Sequence, residues 1–191
     1  MTANSFSVLA SQNLSPEDAA AASRYLADTR DGVLESAAGL SNAQCDFKPS
    51  PDRWSIAEIV EHLVMVEQRV HSIAGNMSEA PEPPAGWDQA EVDALVLREV
   101  PNRSIKLAAP AHICPTQHWS VAEALEHFCN SRAVTLQLLS SASPLRGHVF
   151  AHPILGPWDG YQWIMAAGAH SLRHTEQILE VKVSAGFPIQ G

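Results

Sequence analysis

Two histidines stand four residues apart in the run His170-Ser171-Leu172-Arg173-His174-Thr175-Glu176-Gln177-Ile178. A third, His62, stands in Trp54-Ser55-Ile56-Ala57-Glu58-Ile59-Val60-Glu61-His62-Leu63. On a helix, residues four apart share a face, with Cβ atoms about 5–6 Å apart. Two imidazoles so placed can reach one divalent ion at roughly 2.0–2.1 Å from each nitrogen. A third imidazole from a neighbouring helix would complete a three-ligand site with positions left for water or substrate, the layout of a catalytic metal rather than a structural one. The pair alone is a weak signal in a chain with nine histidines, and satisfied core histidines are the competing reading.

Facing favours the metal. Projected at 3.6 residues per turn, Trp163, Ala167, His170, His174, Ile178 and Val181 fall on one stripe, with Arg173, Glu176 and Glu180 off it. His62 falls beside Ile59, Val66 and Ile73 on its own helix. A polar ring turned into an apolar face needs a partner, and one ion serves three rings at once. Glu58, one turn before His62, and Gln177, three residues after His174, are placed to support the ligands from behind.

The elements that must position these residues are helices. Ser15-Pro16-Glu17-Asp18 reads as a cap, a first-turn proline and acids favoured by the helix dipole. The series Leu26, Val33, Ala37 and Leu40 then carries a long helix to about Gly39. Residues 46–53 form a loop. Ser55 and Glu58 form a capping box, with Trp54 and Ile59 as its hydrophobic staple, so neither Trp54 nor Glu58 requires a catalytic role. From Gly75 to His118 the pattern breaks, with Pro81, Pro83, Pro84 and Gly86 interrupting it. A short helix from Asp88 to Arg98 is expected inside this stretch, capped by Asp88. Connections this long are uncommon in compact bundles and often cover a binding site.

The third main helix repeats the second. Trp119-Ser120-Val121-Ala122-Glu123-Ala124-Leu125-Glu126-His127 matches Trp54–His62 at Trp, Ser, Ala, both Glu and His, at an offset of 65 residues. The cap explains the Trp, the Ser and the first Glu; it does not explain the second Glu or the His. A solvent-facing His127 is the favoured reading, a fourth ligand the lesser one. The helix continues to about Ser141, and a loop rich in proline and glycine, carrying His148 and His152, leads to the last helix. Surface positions are expected for both histidines, with a place at the pocket mouth as the alternative.

The Trp-Ser-x-x-Glu-x-x-x-His-Leu opening of one helix, the His-x-x-x-His-x-x-Gln-Ile of the last, and its approach His152-Pro153-Ile154-Leu155-Gly156-Pro157-Trp158 together resemble the DinB/YfiT-like superfamily. The resemblance runs from about Leu26 to Lys182. It implies an all-α four-helix bundle carrying a divalent metal on His62, His170 and His174, commonly in a homodimer. Members with assigned activity are mostly metal-dependent S-transferases using a low-molecular-weight thiol; others are regarded as hydrolases. The expected function is transfer of such a thiol to a small electrophilic substrate. The alternatives are a metal-dependent hydrolase and a non-catalytic metal- or ligand-binding module. Zinc is the default ion, with nickel, manganese and iron also compatible with imidazole.

Length and composition agree with one soluble domain across residues 1–191, in which 1–14 form a loose N-terminal extension and 75–118 a connection covering one end of the bundle. Hydrophobic residues make up 46% and charged residues 17%, and the net charge is −9, which argues against nucleic acid and anionic membranes as partners. Cys45, Cys114 and Cys129 form no Cys-x-x-Cys pair, so no disulfide framework is expected and a reducing cytoplasm fits. No signal peptide or membrane-length apolar run is present in the sequence, and the expected location is cytoplasmic.

Overall fold

In a computed structural model, residues 14–104, 108–141 and 144–189 are described. All of the expected N-terminal extension except Leu14 lies outside the described residues. Six α-helices and one small hairpin follow in order: α1 (Pro16–Ala37), α2 (Asn42–Cys45), α3 (Ile56–Gly75), α4 (Gln89–Glu99), α5 (Val121–Leu138), β1 (Phe150–His152), β2 (Gly156–Trp158) and α6 (Gly160–Lys182). The bundle is made of α1, α3, α5 and α6: α3 packs on α5 and α6, and α1 packs on α6 and α5. No helix among the described residues is long and apolar enough to cross a membrane.

Capping starts these helices where the sequence places the signals. Ser15 accepts from the Asp18 amide at α1, and Ser55–Glu58 and Ser120–Glu123 each bond reciprocally at α3 and α5. Asp159 and Gln162 form a further capping box at the start of α6, unassigned in the sequence reading. Asp88 caps α4 by accepting from Ala90 and Glu91, as expected. The hairpin pairs Phe150 with Trp158 and His152 with Gly156, and Gly156 supplies a φ of 86°. It was not predicted, because two three-residue strands leave no alternating pattern to read.

The core has two apolar parts. One includes Leu26, Val70, Trp158, Trp163 and Ile164; the other includes Val33, Ile59, Leu63, Phe128 and Ile178. Along the helices, Thr29, Glu67, Arg132 and Ser171 fall between them and form a buried polar layer. The Arg132 guanidinium donates to Glu67, Thr29, Ser171 and the Leu26 carbonyl. Helix α6 approaches α1 closely at Gly168, where a Cβ would lie 2.6 Å from Tyr25 Cε1. Along its flank, α4 is clamped to the α6 cap: Arg146 bridges Asp93 and Asp159, and Gln162 donates to Asp93. The connection after α3 therefore runs along α6 before reaching the face that carries His62.

Candidate metal centre

His62 projects from the second turn of α3, and His170 and His174 from successive turns in the middle of α6. The two helices meet so that the three rings converge: His170 Nε2 lies 3.0 Å from His62 Nε2 and 3.0 Å from His174 Nε2. Among the described residues, these three form the group whose histidine, cysteine or carboxylate atoms could close on one ion. His62 and His174 are buried, and His170 is partly exposed.

The hydrogen bonds fix which nitrogens carry protons. His62 Nδ1 lies 2.7 Å from the Ile113 carbonyl, which can only accept, so Nδ1 donates. His174 Nδ1 donates to Gln177 Oε1 at 2.9 Å. In the neutral ring this leaves a lone pair on each Nε2, and both lone pairs face His170 Nε2. A single N–H on His170 could satisfy at most one of them. A cation at the centre would satisfy all three rings, and this donor set fits a divalent metal. The three ligand atoms all lie within 4.8 Å of one another, close enough for His62, His170 and His174 together to hold one ion.

Burial also keeps the rings in the ligand form. Desolvation pushes the His62 pKa down to about 4, opposed in part by the Ile113 bond. Burial, then His62, then Arg173 hold His170 well below the usual imidazole range, and burial with His170 and His62 shifts His174 the same way. All three are neutral at pH 7.

Of the two supporting residues expected from sequence, Gln177 bonds the His174 ring, and the bonds of Glu58 go to Ser55 and Lys48. Glu58 Oε2 accepts from the Ser55 amide at 2.8 Å and Oε1 from Lys48 Nζ at 2.8 Å. Its capping geometry turns it away from the histidines. Trp54 contributes more than its staple role: its ring lies 4.7 Å from the His62 ring and 6.2 Å from that of His174, walling one side. Glu61 and the Ile113 carbonyl were missed. Glu61 is buried and accepts from the loop that carries Ile113. Its one legible signal was the second Glu of the repeated segment; a backbone carbonyl leaves no sequence signal.

His127 is exposed, its ring 4.3 Å from Trp119, apart from the other three. His148 is half-buried, and its Nδ1 donates to the Ala80 carbonyl at 2.7 Å. His152 stacks on Trp158 at 4.0 Å and also meets Trp163, and both tryptophans are buried in the core. Cys45, Cys114 and Cys129 are free thiols. A shallow concavity of about 600 Å³ lies past the end of α6 against Leu40, Gln44, Lys182 and Phe187; its position does not coincide with the histidines, whose donor geometry is the stronger guide to chemistry.

A family model for the DinB superfamily matches residues 25–178, a span that contains all three histidines. The chain belongs to the DinB superfamily. It is similar to the uncharacterized protein YuaE of Bacillus subtilis (strain 168), with 26% identity over 149 residues, 75% of this chain and 86% of that one. Its fold resembles that of YfiT from Bacillus subtilis, with a TM-score of 0.54 and 16% identity over 92% of each chain. YfiT is described as a probable metal-dependent hydrolase with an unusual four-helix bundle topology. At that identity the likeness shows a shared fold.

Proposed function

We propose that this DinB protein is a metal-dependent enzyme whose His62, His170 and His174 hold one divalent transition metal, zinc before nickel, manganese or iron. The observation that carries the reading is the pair of Nδ1–H donors on His62 and His174, which aims two Nε2 lone pairs at a third nitrogen. A bound divalent ion supplies Lewis acidity, lowering the pKa of a coordinated thiol or water. The protein's own part is to keep three imidazoles neutral, hold them through Ile113 and Gln177, and limit water on the Trp54 side.

The reaction proposed is transfer of a low-molecular-weight thiol to a small electrophile. It follows the thiol transfer that the resemblance to the DinB/YfiT-like superfamily implies, and it asks for no side-chain base. Glu58 is engaged by Lys48 and the Ser55 amide, and Glu61 by Thr116 and His118. Neither is placed to take a proton from an attacking water. A thiol acidified at the site needs no such base: its proton leaves to solvent, the sulfur bonds to the electrophilic carbon, and the leaving group departs. Hydrolysis is the second reading, favoured by the description of YfiT. We place the enzyme in a homodimer, which sedimentation velocity tests.

The decisive assay mixes metal-loaded protein with a panel of low-molecular-weight thiols and an activated aryl halide, and follows the thioether. Thiol-dependent adduct formation above the uncatalysed rate supports the transferase. Turnover of aryl esters without thiol supports the hydrolase instead. Failure of both would leave a binding module.

A further inference from the structure

We propose that Glu61 is a positioning residue for His62, acting through the loop that precedes α5; the consequence for metal affinity rests on the reading above. Glu61 lies on α3 immediately before His62 and is only 1% exposed. Its carboxylate reaches across to the connection from α4. Oε1 accepts from the Thr116 amide at 3.0 Å and the Thr116 hydroxyl at 3.1 Å, and Oε2 accepts from the His118 amide at 3.3 Å. Between those two anchor points stands Gln117, in the left-handed region at φ 58°. A residue with a Cβ adopts that conformation at a cost, so the loop needs an external hold.

What the hold accomplishes lies three residues upstream. The Ile113 carbonyl of the same loop accepts from His62 Nδ1 at 2.7 Å. That bond puts the proton on Nδ1 and leaves Nε2 facing the other histidines. His112 adds a second attachment of the loop to α3, its Nε2 2.8 Å from Arg69 Nη1. In many histidine metal sites the orienting group is a carboxylate bonded directly to the ring. Here the ring bonds a backbone carbonyl, and the carboxylate acts one step behind it by fixing the loop.

The repeated segment provides an internal comparison. Glu126 and His127 follow Trp119 and Ser120 as Glu61 and His62 follow Trp54 and Ser55, with the same cap and a similar Trp–His ring contact. Yet Glu126 and His127 are exposed. The shared motif builds the cap and the ring contact in both helices, and the loop held by Glu61 is what distinguishes His62.

The test reads the tautomer first, in metal-free protein. Long-range ¹H–¹⁵N spectra of the parent should show His62 protonated at Nδ1. Glu61→Ala should lose that state while keeping its helical circular dichroism, and its Zn(II) affinity should fall about tenfold or more. Glu61→Gln, which keeps an acceptor oxygen for Thr116, should recover most of the loss. A folded Glu61→Ala protein with His62 still protonated at Nδ1 and affinity within about twofold of the parent overturns the proposal. Should Glu61→Ala not fold, amide exchange in the parent decides: coupling is reciprocal, so Zn(II) must slow exchange at Thr116 and His118, and unchanged exchange overturns it. A parent that binds no Zn(II) but shows the tautomer change contradicts the metal reading alone and upholds the role of Glu61.

Discussion

Replacing Arg132 by methionine tests the polar layer that joins all four bundle helices. The guanidinium is fully buried, with Nε 2.8 Å and Nη2 2.6 Å from Glu67 Oε1. Nη1 donates to the Leu26 carbonyl at 2.6 Å and to Thr29 at 2.9 Å, and Nη2 donates to Ser171 at 2.8 Å. Methionine fills much of the volume but leaves Glu67, 1% exposed, as a buried charge supported by the Thr135 hydroxyl. Breaking a buried pair on one side costs about 3–5 kcal/mol, a large share of the roughly 5–15 kcal/mol typical of a folded domain. Urea unfolding at pH 7, followed by far-ultraviolet circular dichroism, measures the loss. The Arg132→Met, Glu67→Met double variant should recover most of it, because no charge is then left without a partner. Ser171 lies between His170 and His174 in sequence, so the single variant should also weaken metal binding. A single-variant loss under about 1 kcal/mol, or a double variant no more stable than the single, would refute the role assigned to the pair.

Gln177→Leu removes the acceptor for His174 Nδ1 and should weaken Zn(II) binding by about 10- to 100-fold with little change in helicity, as measured by competition with a chromophoric chelator. His127→Ala should leave metal stoichiometry unchanged, since the ring is exposed and packs at a tilt against Trp119. Acid should destabilise the metal-free protein. The His62 pKa falls from 6.5 in the unfolded chain to about 4 in the fold, so its contribution is complete above pH 6.5 and is lost as pH drops toward 4. His170 and His174 act in the same direction. Asp159 opposes them, because its pKa rises from 3.8 to about 6 and folding favours its protonated form. His152, held down to about 4, and His71 shift the same way as those three histidines, so five histidines stand against one aspartate and urea midpoints should fall between pH 7 and pH 5; a midpoint that rises would contradict the burial argument.

The bundle was legible in the sequence because its signals are local. Capping boxes at Ser55–Glu58 and Ser120–Glu123 and apolar stripes at helical spacing are each written within one element. The convergence of His62 with His170 and His174 could be anticipated for the same reason: each histidine falls on the apolar stripe of its own helix. Contacts that span elements were not legible. The Glu67–Arg132 pair joins residues 65 apart, and nothing in either segment announces the other. Glu61 stood out only as the second Glu of the repeat, and its role stayed hidden because its partners lie in a loop 55 residues away. Glu58 was placed near the ligands by spacing, but its capping bond determines where its carboxylate points. The hairpin before α6 was hidden by its shortness and by its proline and glycine content.

Elemental analysis of protein purified without chelator and without a histidine-rich tag, beside His62→Ala and His174→Ala, tests the central claim most directly. The account predicts about one equivalent of a divalent transition metal in the parent and none in either variant, with helical content retained in all three. Full metal retention in both variants would contradict the assigned site. A parent that stays metal-free after reconstitution would contradict metal dependence itself.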